Sequence, residues 1–208
     1  MEREDWDERY AANELVWSAE PNRWVREELT GMTPGRALDL AAGEGRNSLW
    51  MASAGWRVTV ADFSGVAIEK GRQLAGALDE AARERLDWVV ADVRSWSPEP
   101  AAYDLVLLCY LQVPEADRRA AFDRAVAALA PGGTLLVVGH ALSNLTEGTG
   151  GPKDPAVLYA PGDVVAELPA GNDLVVERAD EVRRPVEGER DAIDVLVRAR
   201  RPGEHVAD

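Results

Sequence analysis

Ala37-Leu38-Asp39-Leu40-Ala41-Ala42-Gly43-Glu44-Gly45-Arg46-Asn47 reads as a short apolar strand closed by a carboxylate, a Gly-x-Gly turn and the start of a helix. Glycines suit that turn because the chain must reverse within a few residues and let a ligand approach backbone with no Cβ in the way. The helix that follows presents free N–H groups in its first turn, where a polar ligand group can dock. The stretch therefore predicts a nucleotide-like ligand above the turn of an α/β sheet.

Working outward, apolar strand-like runs alternate with amphipathic stretches, the pattern of a parallel sheet with crossover helices. Strands are expected at 36–40, 56–61, 86–91, 103–108 and 134–139, and helices at 46–54, 64–82 and 115–129. Ser64 reads as an N-cap and Pro131-Gly132-Gly133 as a stop after the third helix. The stretch 141–160, rich in Gly, Thr, Asn and Pro, is expected to be an irregular mobile loop and a candidate lid. A short helix over 161–168 and two strands, 174–182 and 192–200, complete the pattern, with Pro185 and Gly188 in their charged link. Before the first strand, 6–12 and 21–29 read as two short helices within a capping segment, 1–30. The expected fold is a doubly wound, Rossmann-like, mostly parallel seven-stranded sheet with a C-terminal antiparallel hairpin and N-terminal capping helices, one domain over 1–208.

The length of 208 residues suits one sizeable core, and 46% hydrophobic with 29% charged residues is ordinary for a soluble globular chain. A net charge of −14 opposes a phosphate backbone, so no nucleic-acid partner is expected. The lone cysteine, Cys109, allows no internal disulfide, and the charged start Met1-Glu2-Arg3-Glu4-Asp5 does not read as a signal peptide. With no apolar run long enough to span a bilayer, no membrane partner and a cytoplasmic location are expected. No His/Cys/Asp cluster has metal-ligand spacing, so no metal is expected. Oligomeric state is left open.

In a doubly wound sheet, ligands bind outside the carboxyl ends of the strands. Asp39 and Gly43–Gly45 follow the first strand, Asp62, Phe63 and Ser64 the second, Asp92 and Val93 the third, Cys109, Tyr110 and Leu111 the fourth, and His140 the fifth. Asp62 lies about 20 residues beyond the glycines, where a carboxylate can accept both ribose hydroxyls. That spacing also fits a nicotinamide dinucleotide. Against the dinucleotide, its third glycine position is Ser48, Asp39 would repel a pyrophosphate, and Asp92 could accept from an adenine amino group. A ligand with a ribose, an adenine and a cationic end but no phosphate satisfies all three. S-adenosylmethionine has that composition.

The chain resembles the class I S-adenosylmethionine-dependent methyltransferases. The residues that carry the resemblance are Leu38-Asp39-Leu40-Ala41-Ala42-Gly43-Glu44-Gly45, Asp62, Ala91-Asp92-Val93 and Tyr103-Asp104-Leu105-Val106-Leu107. Ala41 stands where that family usually has a glycine. Trp6-Asp7-Glu8-Arg9-Tyr10 and Trp17-Ser18-Ala19-Glu20-Pro21-Asn22 are similar to the tellurite-resistance and thiopurine (thiol) methyltransferase group, in which aromatic N-terminal helices close over the methionine end. The resemblance implies a methyltransferase with S-adenosylmethionine held by Trp6, Tyr10, Asp39, Ala41, Gly43, Gly45, Arg46, Asp62, Phe63, Ser64, Asp92, Val93 and Cys109. Trp17, Asn22, Tyr110 and Leu111 are expected to face a small-molecule methyl acceptor.

Glu44 and Arg46 read either as contacts to the amino-acid end of the cofactor or as solvated first-turn residues. His140 reads either as a general base or as a hydrogen-bonded structural residue, and Cys109 as a small apolar residue at a strand end. The chain has only two histidines, which favours an acceptor that ionises readily, a thiol or other soft nucleophile. The alternatives are a cofactor-binding regulatory or assembly protein without turnover, and an NAD-dependent oxidoreductase.

Overall fold

A computed structural model describes residues 3–13, 15–16, 20–171 and 173–203. The described chain divides into two compact units, Met1–Trp96 and Ser97–Asp208.

In the first unit, α1 (Arg3–Ala12) and α2 (Arg23–Leu29) precede β1 (Arg36–Leu40), α3 (Arg46–Ser53), β2 (Arg57–Asp62), α4 (Gly65–Ala75), α5 (Glu80–Arg83) and β3 (Leu86–Val90). Ala37, Leu38, Asp39 and Leu40 are all buried, as expected of a parallel strand covered on both faces. β2 pairs with β1 and with β3, both in parallel, setting Leu40 beside Ala61 and Asp62 beside Val90. The helix expected over 64–82 is two helices. Ser64 caps α4 by accepting from Ala67 N–H, the helix ends at Gly76, and Asp79 caps α5 by accepting from Ala82 N–H. Asp79 competes for backbone donors within the periodic stretch, which an apolar-spacing argument does not register.

In the second unit, β4 (Tyr103–Cys109), α6 (Glu115–Ala128) and β5 (Leu129–His140) form a parallel βαβ step, followed by α7 (Asn144–Glu147), α8 (Pro161–Glu167), β6 (Val175–Arg184) and β7 (Ala192–Arg200). β7 runs antiparallel to both β5 and β6. Pro131-Gly132-Gly133 was expected to precede the fifth strand and instead lies inside it, because β5 begins at Leu129 directly after α6. Gly132, with φ +81°, donates to the carbonyl of Arg201, so the bend is braced by the chain beyond β7. The loop after β5 is not wholly irregular. It holds α7 and a 3-10 turn at Pro155–Val157, and Asn144 Oδ1 accepts from Ile193 N–H at 2.8 Å.

The seven strands follow the order β3-β2-β1-β4-β5-β7-β6, the expected mixed, Rossmann-like sheet with an antiparallel C-terminal hairpin. Among the described residues, no helix is long and apolar enough to cross a membrane.

Candidate functional site

The turn after β1 is built from left-handed backbone. Ala41, Gly43 and Gly45 have φ of +56°, +59° and +77°, and Gly45 is the N-cap of α3. Ala41 is therefore a Cβ-bearing residue in a conformation that glycine adopts without strain. Asp62, at the end of β2, holds this turn: Gly43 N–H donates to Oδ2 at 2.8 Å and Ser64 N–H to Oδ1 at 2.9 Å. Ser64 Oγ in turn donates to Asp7 Oδ1 of α1 at 2.5 Å. Burial pushes the Asp62 carboxyl up to about 6, against the two N–H donors and with the charges of Asp7 and Asp92 adding to the rise.

Asp39 is 1% exposed, and its Oδ2 accepts from Ser48 Oγ at 2.6 Å. Its Oδ1 is buried with no hydrogen-bond partner. Burial pushes the carboxyl up to about 7; the Ser48 hydroxyl opposes this, Asp62 adds to it and Arg46 opposes it. A buried orphan oxygen on a carboxylate beside a glycine turn is a vacancy for a donor, and a cationic one would lower its free energy most. Asp92, after β3, accepts from the Arg94 guanidinium, with Nη2 at 2.7 Å from Oδ2, and from Arg94 N–H at 2.9 Å. That partner holds its carboxyl below the usual range. Carboxylates at the ends of β1 and β2 and just after β3 suit hydroxyl, amino and cationic groups and repel pyrophosphate. Val93 is buried, while Phe63 and Arg46 are partly exposed.

The N-terminal segment is fastened to this turn. Glu44 is buried, accepts from Val16 N–H at 3.0 Å and pairs with Lys70 Nζ of α4 at 2.8 Å. Lys70 Nζ also donates to the carbonyls of Tyr10 at 2.9 Å and Asn13 at 2.6 Å. Glu44 is thus not a solvated first-turn residue, since it is buried and its carboxylate ties Val16 and Lys70 together. Asn22 caps α2 by accepting from Trp24 N–H, and its own N–H donates to Asn47 Oδ1 of α3 at 2.8 Å. Trp6 and Tyr10 stack at 5.5 Å, with Arg9 over Trp6. Trp17 lies outside the described residues. Beneath the turn, a Cβ on Gly71 would come within 2.4 Å of the Trp88 ring and 2.8 Å of the Glu44 carbonyl oxygen. The close approach of α4 to the turn therefore depends on Gly71, which the sequence reading did not single out.

In the second unit, Tyr110 follows β4 with φ +62°, and His140 ends β5. The two rings lie 4.6 Å apart. Tyr110 OH donates to Asp194 Oδ2 at 3.0 Å, and Arg184 Nε donates to the same oxygen at 3.1 Å. Burial, with the Asp194 charge adding to it, raises the Tyr110 phenol above its ordinary value, so the hydroxyl keeps its proton. His140 Nδ1 stands 3.4 Å from Asp194 Oδ1, within ion-pair reach but outside hydrogen-bond geometry. Cys109 and Leu111 flank Tyr110 and are partly exposed. Asp194 went unnoticed in the sequence, although a single carboxylate within Ile193-Asp194-Val195-Leu196-Val197 was a visible signal. Among the described residues, no group of three or more His, Cys, Asp or Glu side chains could hold a metal ion.

Residues 37–133 match the family described as a methyltransferase domain. A demethylmenaquinone methyltransferase of Clavibacter sepedonicus is 30% identical over 126 residues, covering 60% of this chain and 47% of that protein. The chain thus spans about half the length of this curated relative. The glycopeptide N-methyltransferase MtfA complexed with S-adenosylmethionine has a TM-score of 0.69 at 23% identity, over 89% of this chain and 96% of that one. The N-methyltransferase NodS of Bradyrhizobium japonicum WM9, in complex with S-adenosylhomocysteine, gives 0.71 at 20% identity, over 96% and 98%. The chain shares the Rossmann-like fold of these methyltransferases, and its stretch 37–133 carries the sequence of a methyltransferase domain.

Proposed function

We propose that the chain works as a single S-adenosylmethionine-dependent methyltransferase domain acting on a small-molecule acceptor. The observation that carries this reading is the buried Asp39 Oδ1 without a hydrogen-bond partner, set beside a left-handed glycine turn that Asp62 holds. Within it, Asp39 serves the cationic amino-acid end, Asp62 the ribose hydroxyls, and Asp92 with Val93 the adenine. S-adenosylmethionine supplies an electrophilic methyl on a cationic sulfur that becomes neutral on transfer. The protein's part is alignment and exclusion of water, with the N-terminal segment anchored at Glu44 and Lys70.

The acceptor we favour is a thiol or other soft nucleophile, on the strength of the N-terminal likeness to the thiol methyltransferase group. A non-catalytic cofactor-binding protein and an NAD-dependent oxidoreductase are the competing readings, the latter disfavoured by three carboxylates where a pyrophosphate would lie. Transfer of a radiolabelled methyl from S-adenosylmethionine to a panel of aryl thiols, phenols and amines tests the acceptor. Labelling of thiols ahead of the others is expected. Labelling of amines or phenols alone would overturn the thiol assignment, and labelling of none, with the cofactor bound, would favour the non-catalytic reading.

A further inference from the structure

The first unit buries two carboxylates on adjacent parallel strands and treats them differently. Asp62, at the end of β2, has both oxygens held by backbone N–H donors. Asp39, on β1, has one neutral donor: the Ser48 hydroxyl of α3 reaches Oδ2 at 2.6 Å, and Oδ1 is buried without a hydrogen-bond partner. Ser48 is itself fully buried and has a single proton to donate, so its bond to Oδ2 settles which Asp39 oxygen is left over. The charged groups that bear on Asp39 are Asp62 on the neighbouring strand and the partly exposed Arg46 at the start of α3. Asp7 of α1 and Asp92 after β3 act in turn on Asp62. A buried carboxylate with one hydroxyl donor and a second carboxylate close by is driven towards its neutral form. Accordingly the Asp39 carboxyl is raised to about 7, chiefly by burial, and the better-held Asp62 carboxyl rises less, to about 6.

We propose that this site exchanges a proton for its cofactor: Asp39 gives up a proton to solvent when the ammonium of the cofactor's amino-acid end donates to Oδ1, and Ser48 is the positioning residue that keeps Oδ2 occupied and Oδ1 open. This rests on the methyltransferase reading and deepens it, because cofactor uptake becomes proton-linked and the ammonium becomes the group by which the site selects its ligand. The proton and the ammonium compete for one oxygen, so affinity for an ammonium-bearing ligand falls as pH drops through the Asp39 range. A ligand with the same adenine and ribose but no amino-acid end, 5′-methylthioadenosine, does not meet Asp39. Any proton that Asp62 sheds on meeting ribose hydroxyls is common to both ligands, so the difference between them isolates Asp39. Every residue in the exchange belongs to the first unit.

Calorimetry in buffers of different ionisation enthalpy counts the protons released on binding. At pH 7, S-adenosylhomocysteine is expected to release about half a proton more than 5′-methylthioadenosine, and its affinity relative to that ligand to rise about tenfold from pH 6 to pH 8. Asp39→Asn is expected to abolish the excess. Ser48→Ala is expected to keep it and move its midpoint to higher pH, because the Ser48 hydroxyl holds the Asp39 carboxyl down; loss of packing alone would not move that midpoint. Equal proton release by the two ligands overturns the proposal, and that comparison needs only the unaltered protein. An excess that persists in folded Asp39→Asn overturns it as well, a comparison that stands even where methylthioadenosine binds too weakly to measure. An unmoved midpoint in folded Ser48→Ala overturns the role of Ser48. Failure of S-adenosylhomocysteine to bind at all sinks the methyltransferase reading instead, so the two failures are told apart in one experiment.

Discussion

At position 39 the chain buries a carboxylate with one oxygen hydrogen-bonded and the other not. The carboxyl is raised from 3.8 to about 7, and that of Asp62 to about 6, both chiefly by burial. Because these folded values exceed the unfolded ones, the native state binds more protons between them, and stability falls as pH rises from about 4 to about 7. The loss is complete above the folded values and absent below the unfolded ones. Asp39→Asn is therefore expected to raise the stability of the ligand-free protein at about pH 8 by about 1–2 kcal/mol and to flatten its pH dependence. The same change is expected to weaken S-adenosylmethionine at least tenfold, or about 1.4 kcal/mol, by removing the charge that faces a cation. Thermal denaturation across pH, with calorimetry beside it, checks both. A variant that loses stability at high pH, or binds the cofactor as before, would contradict this role. Ala41 belongs to the same scale. A glycine there was the family's pattern, and the φ of +56° shows the conformation that pattern serves.

Among the elements, the approach of α4 to the turn is set by Gly71, whose place against Trp88 and the Glu44 carbonyl leaves no room for a methyl. Gly71→Ala is expected to destabilise the protein by about 2 kcal/mol. Trp88→Leu in the same chain is expected to recover part of that loss, since the ring is the nearest obstacle and the Glu44 carbonyl remains. Melting temperatures of the single and double variants decide it, and a neutral Gly71→Ala would show that α4 can shift freely. This contact also marks where the sequence stops being legible. β1, the glycine turn and Asp62 could be read directly because they are neighbours in sequence or separated by one βα unit. The Gly71–Trp88 contact, the Glu44–Lys70 pair and the Tyr110–Asp194–Arg184 cluster join residues from separate elements, and no local period announces them. The break between α4 and α5 escaped for a different reason, since Asp79 caps a new helix inside a stretch whose apolar spacing runs on.

For the whole molecule, the mostly parallel sheet followed from alternation of apolar runs and amphipathic stretches and the hairpin from two strand-like runs with no helix between them, while the acceptor did not follow. The residues expected from sequence to face an acceptor, Trp17, Asn22, Tyr110 and Leu111, fall where neither spacing nor fold dictates side-chain chemistry. The net charge of −14 and the carboxylates around the turn agree in favouring a cationic ligand over a polyanionic one. The cofactor is therefore the property on which the chemistry of this chain turns. Its most direct test is parallel calorimetric titration of the protein with S-adenosylmethionine, S-adenosylhomocysteine and NAD. Micromolar binding of the two adenosyl ligands, absent for NAD and lost in Asp62→Ala, is the predicted result, and binding of NAD alone, or of none of the three, would contradict it.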